Sequence, residues 1–585
     1  MSRKLRSIFP LSPQQQGMLF ETIYSSGPER SALHVQQLAW TMDGALDVEI
    51  FETAWQRVID RHGVLRTAFV WKDQDAPLQV EVGSVPAPFA VHDWRDLESG
   101  EQERLWEEHL QSDLRDPLDL SKPPLLRLAL FRLGDGEHRF LWTFHHILLD
   151  GWGWPIVLRE LFTIYLALRR GDEPELPPVP SYREYVAWLG ERDLGEAMRF
   201  WRENLAGIDR PTPLGEERES VGSPDGARHR TSEGSLPAET TGLLRTLLRR
   251  RRLTFNTLVQ ALWGVLLSAY SDRDDVLFGI TVSGRPGDLE GVESIVGLFI
   301  NTLPMRLEVP EDRPFDQWLA EVQRRQLEVR GYEHCSEGQV HQWSDVPASR
   351  PLYDSILVFE NFPTELSVLR DADLAVSIRQ AQFRGAYTKH ALSILATEGE
   401  RLGLRLTWDT ERFAGADRVL AHWRALAAAV AENPGATVGA LRRSIAGAER
   451  PLFRPQGRGA APRLAGDDRP RTRTEEDLAA LWARVVGVER VGIHDDFFEL
   501  GGHSLLAMEI LRRVRERFRI ELPLRHLFEA PTVAELSVVI AQKQAEQLGE
   551  KDGVSVEDML ERLESMSDDE ARREAAIATE EVSRG

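Results

Sequence analysis

Apolar and polar positions change their period along the first part of the chain, alternating between strand-like and helix-like stretches. Residues 128–131 and 138–144 run apolar or alternate with the two-residue period of a β-strand. Residues 51–60 and 255–270 instead place apolar side chains three or four positions apart, which predicts helices. A block from about residue 8 to residue 447 is therefore predicted to be a globular part of mixed strands and helices.

Two stretches without apolar periodicity divide the chain. Residues 171–181, GDEPELPPVPS, are rich in proline and acidic residues and break any regular element. We place the boundary between an N-terminal lobe, residues 1–180, and a C-terminal lobe, residues 181–447, in this stretch. A second stretch is rich in glycine, proline and arginine, and it predicts a flexible linker at residues 448–473.

A short helical unit is predicted at residues 474–544. Thr474 with Asp477 has the spacing of a capping box, and Thr532 with Glu535 repeats that pattern. The apolar positions at helical spacing include Leu478, Leu481, Trp482 and Val485 in the first helix and Leu505, Met508 and Leu511, or nearby positions, in a second. Three or four short helices in about 70 residues predict a small all-α bundle of the four-helix type.

The last segment, residues 545–585, is acidic. Ser555 with Asp558, and Ser567 with Glu570, offer caps for two short helices. Two interpretations stay open on this pattern: a frayed terminus, or a docking segment that folds against a partner.

Composition narrows the class of protein. Cys335 is the only cysteine, which rules out an internal disulfide and a multi-cysteine metal site and fits a reducing cytoplasm. We therefore predict no metal site and a cytoplasmic location. No apolar run approaches the roughly 18 residues of a membrane span, and the basic N-terminus lacks the apolar core of a signal peptide. The formal net charge of −22 repels phosphate backbones, so nucleic acid is not an expected partner.

The first candidate site lies where a strand-like run ends in His145 and His146. Successive strand residues point to opposite faces, so only one of these histidines can face a given cavity, and the pair is a poor chelator of one metal ion. A neutral imidazole can accept a proton from an ammonium or hydroxyl group near pH 7. On these residues alone, two core histidines with satisfied hydrogen bonds remain the alternative.

Asp150 and Gly151 follow this pair closely. The neighbours of Asp150 are apolar, so a buried Asp150 needs a cationic partner, for which Arg66 and Arg285 are the candidates.

The segment HHILLDGW resembles the HHxxxDG signature of condensation domains of nonribosomal peptide synthetases. Other stretches resemble motifs of the same family in the right order: LSPQQQGMLF (11–20), RHGVLRTAF (61–69), YREYVAWL (182–189), FGITVSGRP (278–286), VGLFINTLPMR (296–306) and LYDSILVFENFP (352–363). An ordered series of this length is far more specific than any single motif.

The resemblance implies two chloramphenicol-acetyltransferase-like lobes, of mixed helices and strands, in a V with a tunnel between them. Two carrier-bound phosphopantetheine arms are expected to enter it from opposite faces, and the acceptor amine to attack the donor thioester. By this resemblance His146 is the catalytic residue, His145 and Asp150 are mainly structural, and Gly151 lets the backbone approach the site. The sequence leaves open whether His146 is a base or only positions the amine. Much of the acceleration could come from holding the two tethered reactants together, since this supplies effective molarities of about 10⁵ M or more.

The second candidate site is Ser504, which follows Gly501 and Gly502 at the start of an apolar helix. The glycines permit unusual backbone angles, and a helix N-terminus favours an attached phosphodiester. By itself the pattern also describes an ordinary serine N-cap. The stretch DDFFELGGHSLLA (495–507) resembles the carrier-protein motif, however. This resemblance implies that Ser504 carries phosphopantetheine, supplied from coenzyme A by a phosphopantetheinyl transferase.

The order of these parts predicts the partners. In this family a carrier that follows a condensation domain holds the acceptor, so the donor is expected on a carrier protein of another polypeptide. The linker is too short for an adenylation domain, so a separate adenylation enzyme is expected to charge Ser504, although an engineered deletion would leave the same sequence. The product is expected to pass to a downstream synthetase or release enzyme, which adds some weight to the interpretation of the acidic tail as a docking segment.

Several alternatives share these motifs. Epimerisation domains usually follow their carrier and continue the signature differently, and heterocyclisation domains replace both histidines with aspartates. An ester-forming enzyme with a hydroxyl acceptor, and a catalytically silent scaffold that presents its carrier, remain alternatives. The letters of LSPQQQGMLF and HHILLDGW also resemble the subtype that takes a donor ending in a D-residue.

Overall fold

The structure is a computed structural model of the chain. It describes residues 5–24, 34–71, 74, 76–218, 221, 228–347, 350–360, 376–385, 389–446, 449–455, 469–488, 490–497, 500, 504–523, 526–527 and 530–552. The side chains of residues 380, 381, 504, 505, 508 and 545–552 lie outside this description. The chain forms two compact units, Met1–Gly457 and Arg458–Gly585.

A five-stranded sheet organises the first part of the first unit. Its strands are β2 (Val35–Gly44), β5 (Phe89–Asp93), β6 (Leu126–Gly134), β7 (Glu137–His145) and β13 (Val376–Arg384). Their order is β13–β2–β7–β6–β5, and only the β5–β6 pair is parallel. The predicted strands at residues 128–131 and 138–144 are confirmed as parts of β6 and β7.

Helices cover both faces of this sheet, because its central strands bury side chains on both sides. These helices are α1 (Pro13–Tyr24), α2 (Val48–Arg61), α3 (Ser99–Arg115) and α4 (Gly153–Arg170). On one face Trp55 of α2 packs against Phe140 and Trp142 of β7, with ring centroids 5.7 and 5.2 Å apart. On the other face Trp106 of α3 packs against Phe131 of β6, at 5.1 Å. The predicted helix at residues 51–60 is confirmed within α2.

A six-stranded sheet organises the second part of this unit. Its strands are β9 (His229–Ser235), β10 (Asp275–Val282), β11 (Asn301–Glu308), β12 (Ser355–Glu360), β14 (Leu392–Thr397) and β15 (Gly403–Asp409), in the order β11–β10–β12–β14–β15–β9. The helices around it are α7 (Ala238–Arg251), α8 (Phe255–Ser271), α9 (Phe315–Arg330), α11 (Ala416–Glu432) and α12 (Val438–Ala446). Buried side chains run almost continuously along α8, which confirms the predicted helix at residues 255–270.

Within the described part of the chain, no single helix has the length and apolarity of a membrane span. Only α7 and α8 taken together meet those two criteria, and they are bent by 108° at their junction.

One strand crosses between the two parts of the unit. β13 pairs with β2 at the edge of the five-stranded sheet, where the guanidinium of Arg379 binds the carboxylate of Asp43. The division at residue 180 did not anticipate this strand, because its neighbours β12 and β14 belong to the other sheet. The five-stranded sheet is therefore built from chain on both sides of residue 180.

Smaller elements complete the unit. They are the sheet β1 (Leu5–Pro10), β3 (Thr67–Val70) and β4 (Leu78–Val82), the helices α5 (Tyr182–Gly190), α6 (Leu194–Leu205) and α10 (Glu337–Gln342), and the short strands β8 (Glu216–Glu217), β16 (Phe413–Ala414) and β17 (Leu452–Phe453). The irregular stretch predicted at residues 171–181 separates α4 from α5. β17 pairs with β16 and β8, so ordered chain reaches residue 453, past the start of the predicted linker.

The second unit is helical. Its helices are α13 (Arg473–Trp482), which continues as a π-helical turn (Ala483–Gly487), α14 (Ser504–Phe518) and α15 (Val533–Asp552). Its core includes Leu478, Trp482, Phe497, Ile510, Val514 and Leu536. Thr472 and Glu475 form the first capping box, so the predicted cap at Thr474 is corrected by two residues. The Thr532–Glu535 cap is confirmed, whereas the predicted caps of the tail lie outside the described residues.

Candidate active site at the end of strand β7

The last residue of β7, His145, has a fully buried side chain. Its Nε2 lies 3.2 Å from the Thr22 hydroxyl, and its Nδ1 accepts a hydrogen bond from the Ile147 amide at 3.2 Å. Because Nδ1 accepts, the ring proton belongs on Nε2, which donates to Thr22. Burial holds the pKa of His145 well below its usual value of 6.5, so the ring is neutral. Both ring nitrogens of His145 thus have hydrogen-bond partners within the unit.

His146 is partly exposed, and its two ring nitrogens differ. Nδ1 lies 2.7 Å from the Leu149 carbonyl oxygen, which can only accept, so Nδ1 carries the proton. The neutral ring therefore keeps the lone pair of Nε2 for another group. Burial is the largest influence on the pKa of His146 and lowers it from 6.5, so the neutral ring predominates at pH 7. This arrangement provides a neutral proton acceptor.

Asp150 joins the two parts of the unit. Its Oδ1 accepts hydrogen bonds from the amides of Trp152 and Gly153, at 3.0 and 3.1 Å. Its Oδ2 accepts from the amides of Phe299 and Ile300, at 2.9 and 3.0 Å. Trp152 and Gly153 lie at the start of α4, and Phe299 and Ile300 immediately precede β11. The buried carboxylate thus fixes the turn after His146 to the second part of the chain.

Of the two arginines predicted as cationic partners of Asp150, Arg285 lies next to it and Arg66 does not. Arg285 Nη2 lies 3.7 Å from Asp150 Oδ1, and its guanidinium stacks 4.1 Å from the ring centroid of Phe299. Arg66 lies in a different cluster, where its ion pair at 3.2 Å is with Glu81, and this corrects the expectation for Arg66. Gly151 lies in the turn between Asp150 and α4.

Sequence reasoning missed the side chain that holds the segment donating to Asp150. The Tyr182 hydroxyl donates to the Leu298 carbonyl at 2.5 Å and lies 3.2 Å from the Ser12 hydroxyl. A Cβ at position 297 would lie 2.1 Å from Cδ2 of Tyr182, so only glycine fits there. Tyr182 belongs to the motif YREYVAWL, and Gly297 and Leu298 belong to the motif VGLFINTLPMR, but neither motif shows that the two segments are in contact.

We expect Asp150→Asn to destabilise the first unit by about 3–5 kcal/mol, because an amide nitrogen would face two backbone donors and buried Arg285 would lose its anion. Urea unfolding followed by tryptophan fluorescence measures this change. Glu173→Gln is the control, because Glu173 pairs with Arg57 at 2.8 Å while 85% exposed, and an unfolding midpoint close to that of the wild type is expected there. Equal unfolding midpoints for the two variants would contradict the role of Asp150.

The second predicted site opens a helix, as expected. α14 begins at Ser504, so free backbone amides of its first turn surround this position and suit an attached phosphodiester. Ala507, Ile510 and Val514 bury the inner face of α14. Gly501, Gly502 and His503 lie outside the described residues. The backbone at Ser504 therefore fits a phosphopantetheine attachment point.

Solved structures define the class of fold. The chain matches the first condensation domain of the calcium-dependent antibiotic synthetase, in complex with a substrate analogue, with a TM-score of 0.60 and 19% identity over 74% of this chain and 99% of that chain. It matches the condensation domain of the Monacolin K polyketide synthase with a TM-score of 0.61 and 17% identity, over 74% and 100%. These likenesses show the fold alone, and they confirm the predicted chloramphenicol-acetyltransferase-like class.

The family model "Condensation domain" matches residues 6–443, and the chain belongs to that family. The model "Phosphopantetheine attachment site" matches residues 476–540, which include Ser504, and this confirms the class of cofactor. The chain is 39% identical over 441 residues to a component of the linear gramicidin synthase of Brevibacillus parabrevis, and 32% identical over 410 residues to bacitracin synthase 3 of Bacillus licheniformis. These matches cover 74% and 69% of this chain but only 9% and 6% of those two proteins.

Proposed function

We propose that the first unit forms an amide bond between two thioester-bound acyl groups, with His146 as the residue that receives the proton of the attacking amine. One observation carries this proposal: the Leu149 carbonyl holds the proton on Nδ1, so that Nε2 of a partly exposed, neutral ring is an acceptor. A silent scaffold would have no need of this tautomer.

The proposed step forms one bond, breaks one bond and moves one proton. The acceptor amine attacks the donor thioester carbonyl, a C–N bond forms and the C–S bond breaks. His146 Nε2 takes one proton from the amine and returns it to the departing thiolate, so no oxidant or further reactant is required. General base catalysis of this kind contributes typically 10²–10⁴-fold, and positioning of the two reactants supplies the rest.

Ser504 is the proposed attachment point on the second unit. Phosphopantetheine bound there would supply a thiol that carries the acceptor as a thioester. The chain's own contribution is the start of α14, whose first-turn amides lie next to the point where the phosphodiester would be attached.

We propose that adenylation is supplied by a separate enzyme. Residues 444–475, between the two matched families, are far too few for another catalytic domain. The other proposed partners are a donor carrier protein, a phosphopantetheinyl transferase and a downstream synthetase or release enzyme.

The test is a reconstitution with the full chain. A phosphopantetheinyl transferase is supplied with a panel of aminoacyl- and hydroxyacyl-coenzyme A thioesters to load Ser504. N-acetyl-D-alanyl and N-acetyl-L-alanyl thioesters of N-acetylcysteamine serve as donors. Intact mass is expected to show an acyl group added to the loaded arm for at least one pair. Product from a hydroxyacyl acceptor alone would instead favour the ester-forming alternative, and no product from any pair would overturn the proposal. The ratio of products from the two donors tests the expected preference for a D-residue.

A further inference from the structure

The backbone of His146 is held by a residue that is itself anchored by α1. The amide of His146 donates to the carbonyl oxygen of His34 at 2.7 Å. His34 has a φ of +61°, in the left-handed region that residues with a Cβ rarely adopt. Its Nε2 lies 2.9 Å from Oε2 of Glu21, so this side-chain contact helps to keep His34 in its strained conformation.

Two adjacent residues of α1 contact the two histidines that adjoin His146, namely His34 and His145. Glu21 holds His34, which contacts the His146 backbone, and Thr22 lies 3.2 Å from Nε2 of His145. A shift of this turn of α1 would therefore move both supports of the catalytic ring.

Lys389 ties the same turn of α1 to the second part of the unit. Its Nζ lies 3.2 Å from Oε1 of Glu21 and 3.0 Å from Oε2 of Glu337, the first residue of α10. Partial burial opposes both charges, yet their mutual attraction raises the pKa of Lys389 and lowers that of Glu21, so both are charged at neutral pH. Since 52% of the Lys389 side chain is exposed, these ion pairs contribute little to overall stability. Their effect is instead local, at the anchor of His34.

We infer that Lys389 is a positioning residue for the imidazole of His146, an inference that rests on the proposed function. One ammonium group separates two carboxylates that belong to different parts of the chain. Without it, Glu21 and Glu337 repel each other, Glu21 leaves His34, and the carbonyl that fixes the His146 backbone moves. A displacement of about 1 Å near a reacting group is enough to lower a rate by up to about 100-fold.

The test compares Lys389→Met with Lys389→Arg in the full chain, using the productive acceptor and donor pair from the reconstitution. Lys389→Met is expected to lower kcat about ten-fold with little change in KM for the donor, and Lys389→Arg to restore most of the rate. Lys122→Met is the matched control, because Lys122 is 76% exposed and its ion pair, at 2.7 Å, is a local one with Asp119, three residues earlier. The melting temperature of each variant is expected to stay within about 3 °C of the wild type.

A second variant tests the inference without changing Lys389, and a second measurement follows the imidazole of His146 directly. His34→Gly keeps a left-handed backbone without strain but removes the contact to Glu21, so it is expected to show the same loss of kcat. The imidazole NMR signals of His146, assigned by their loss in His146→Ala, are expected to shift in Lys389→Met and not in Lys122→Met. An active wild type with unchanged kcat and unshifted signals in Lys389→Met would overturn this inference and leave the proposed function intact. An inactive wild type would remove both.

Discussion

Replacing His146 with alanine is expected to lower the condensation rate by at least about 100-fold while leaving the loading of Ser504 unchanged. The reason is that the Leu149 carbonyl fixes the ring proton on Nδ1, at 2.7 Å, so the ring offers the amine the lone pair of Nε2. A methyl group offers no acceptor. The residual rate measures what positioning alone achieves. The measurement is the rate at which intact mass shows the acyl group on the loaded arm.

His92→Ala is the matched control for this prediction. His92 is another half-buried histidine whose pKa is lowered by burial, but it lies on the edge strand β5 and stacks on Phe131 at 4.6 Å. A rate within about two-fold of the wild type is expected for it. If His146→Ala condenses as fast as His92→Ala while loading of Ser504 remains normal, the result would favour the silent-scaffold alternative and contradict the proposed role of His146.

The pH dependence of the wild type checks the same assignment. A base works in its neutral form, which exists above its pKa. Because burial lowers the pKa of His146 from 6.5, protonation of its ring should reduce the rate below pH 6.5. The acceptor amine, with an ordinary pKa of about 7.7–8.0, titrates in every variant, so the comparison is with His146→Ala. A rate that falls below pH 6.5 in the same way in both proteins would contradict the assignment of His146 as the proton acceptor.

Local patterns predicted the individual elements better than their assembly. The period of apolar residues was enough for α2, α8, β6 and β7, because each buries a face that its own sequence encodes. The position of β13 was not predictable in this way, because its partner β2 lies more than 300 residues earlier in the chain. A strand's period says which residues are buried but not which sheet receives it.

The same limit applies to the candidate site. The apolar neighbours of Asp150 in the sequence predicted that its buried carboxylate needs a cationic partner. In the structure the guanidinium of Arg285 lies next to that carboxylate. The preference for Arg285 over Arg66 depends on tertiary contacts, since the side chain of Arg66 is also buried but its hydrogen bonds go to Glu81 and to backbone carbonyls. The four amides that bind Asp150, and the contacts of His34, also follow from tertiary structure alone.

Replacing Ser504 with alanine is expected to abolish phosphopantetheine attachment and, with it, all product on the chain. In the wild type, coenzyme A and a phosphopantetheinyl transferase should add about 340 Da to one serine. Alanine has no hydroxyl to attack the pyrophosphate linkage, so the mass of the variant should not change. The measurement is intact mass before and after treatment, followed by peptide mapping of the modified segment.

Ser537→Ala is the matched control, because Ser537 lies in the same unit, within α15, where its hydroxyl donates to the Ala534 carbonyl at 2.7 Å. It should gain the full increment, since a serine inside a helix lacks the free first-turn amides present at the start of α14. An increment that persists in Ser504→Ala would place the attachment elsewhere. Because the first unit keeps His146, Ser504→Ala separates the two proposed roles. It should remove the tethered acceptor while leaving the imidazole of His146, the proposed proton acceptor, and its pKa unchanged.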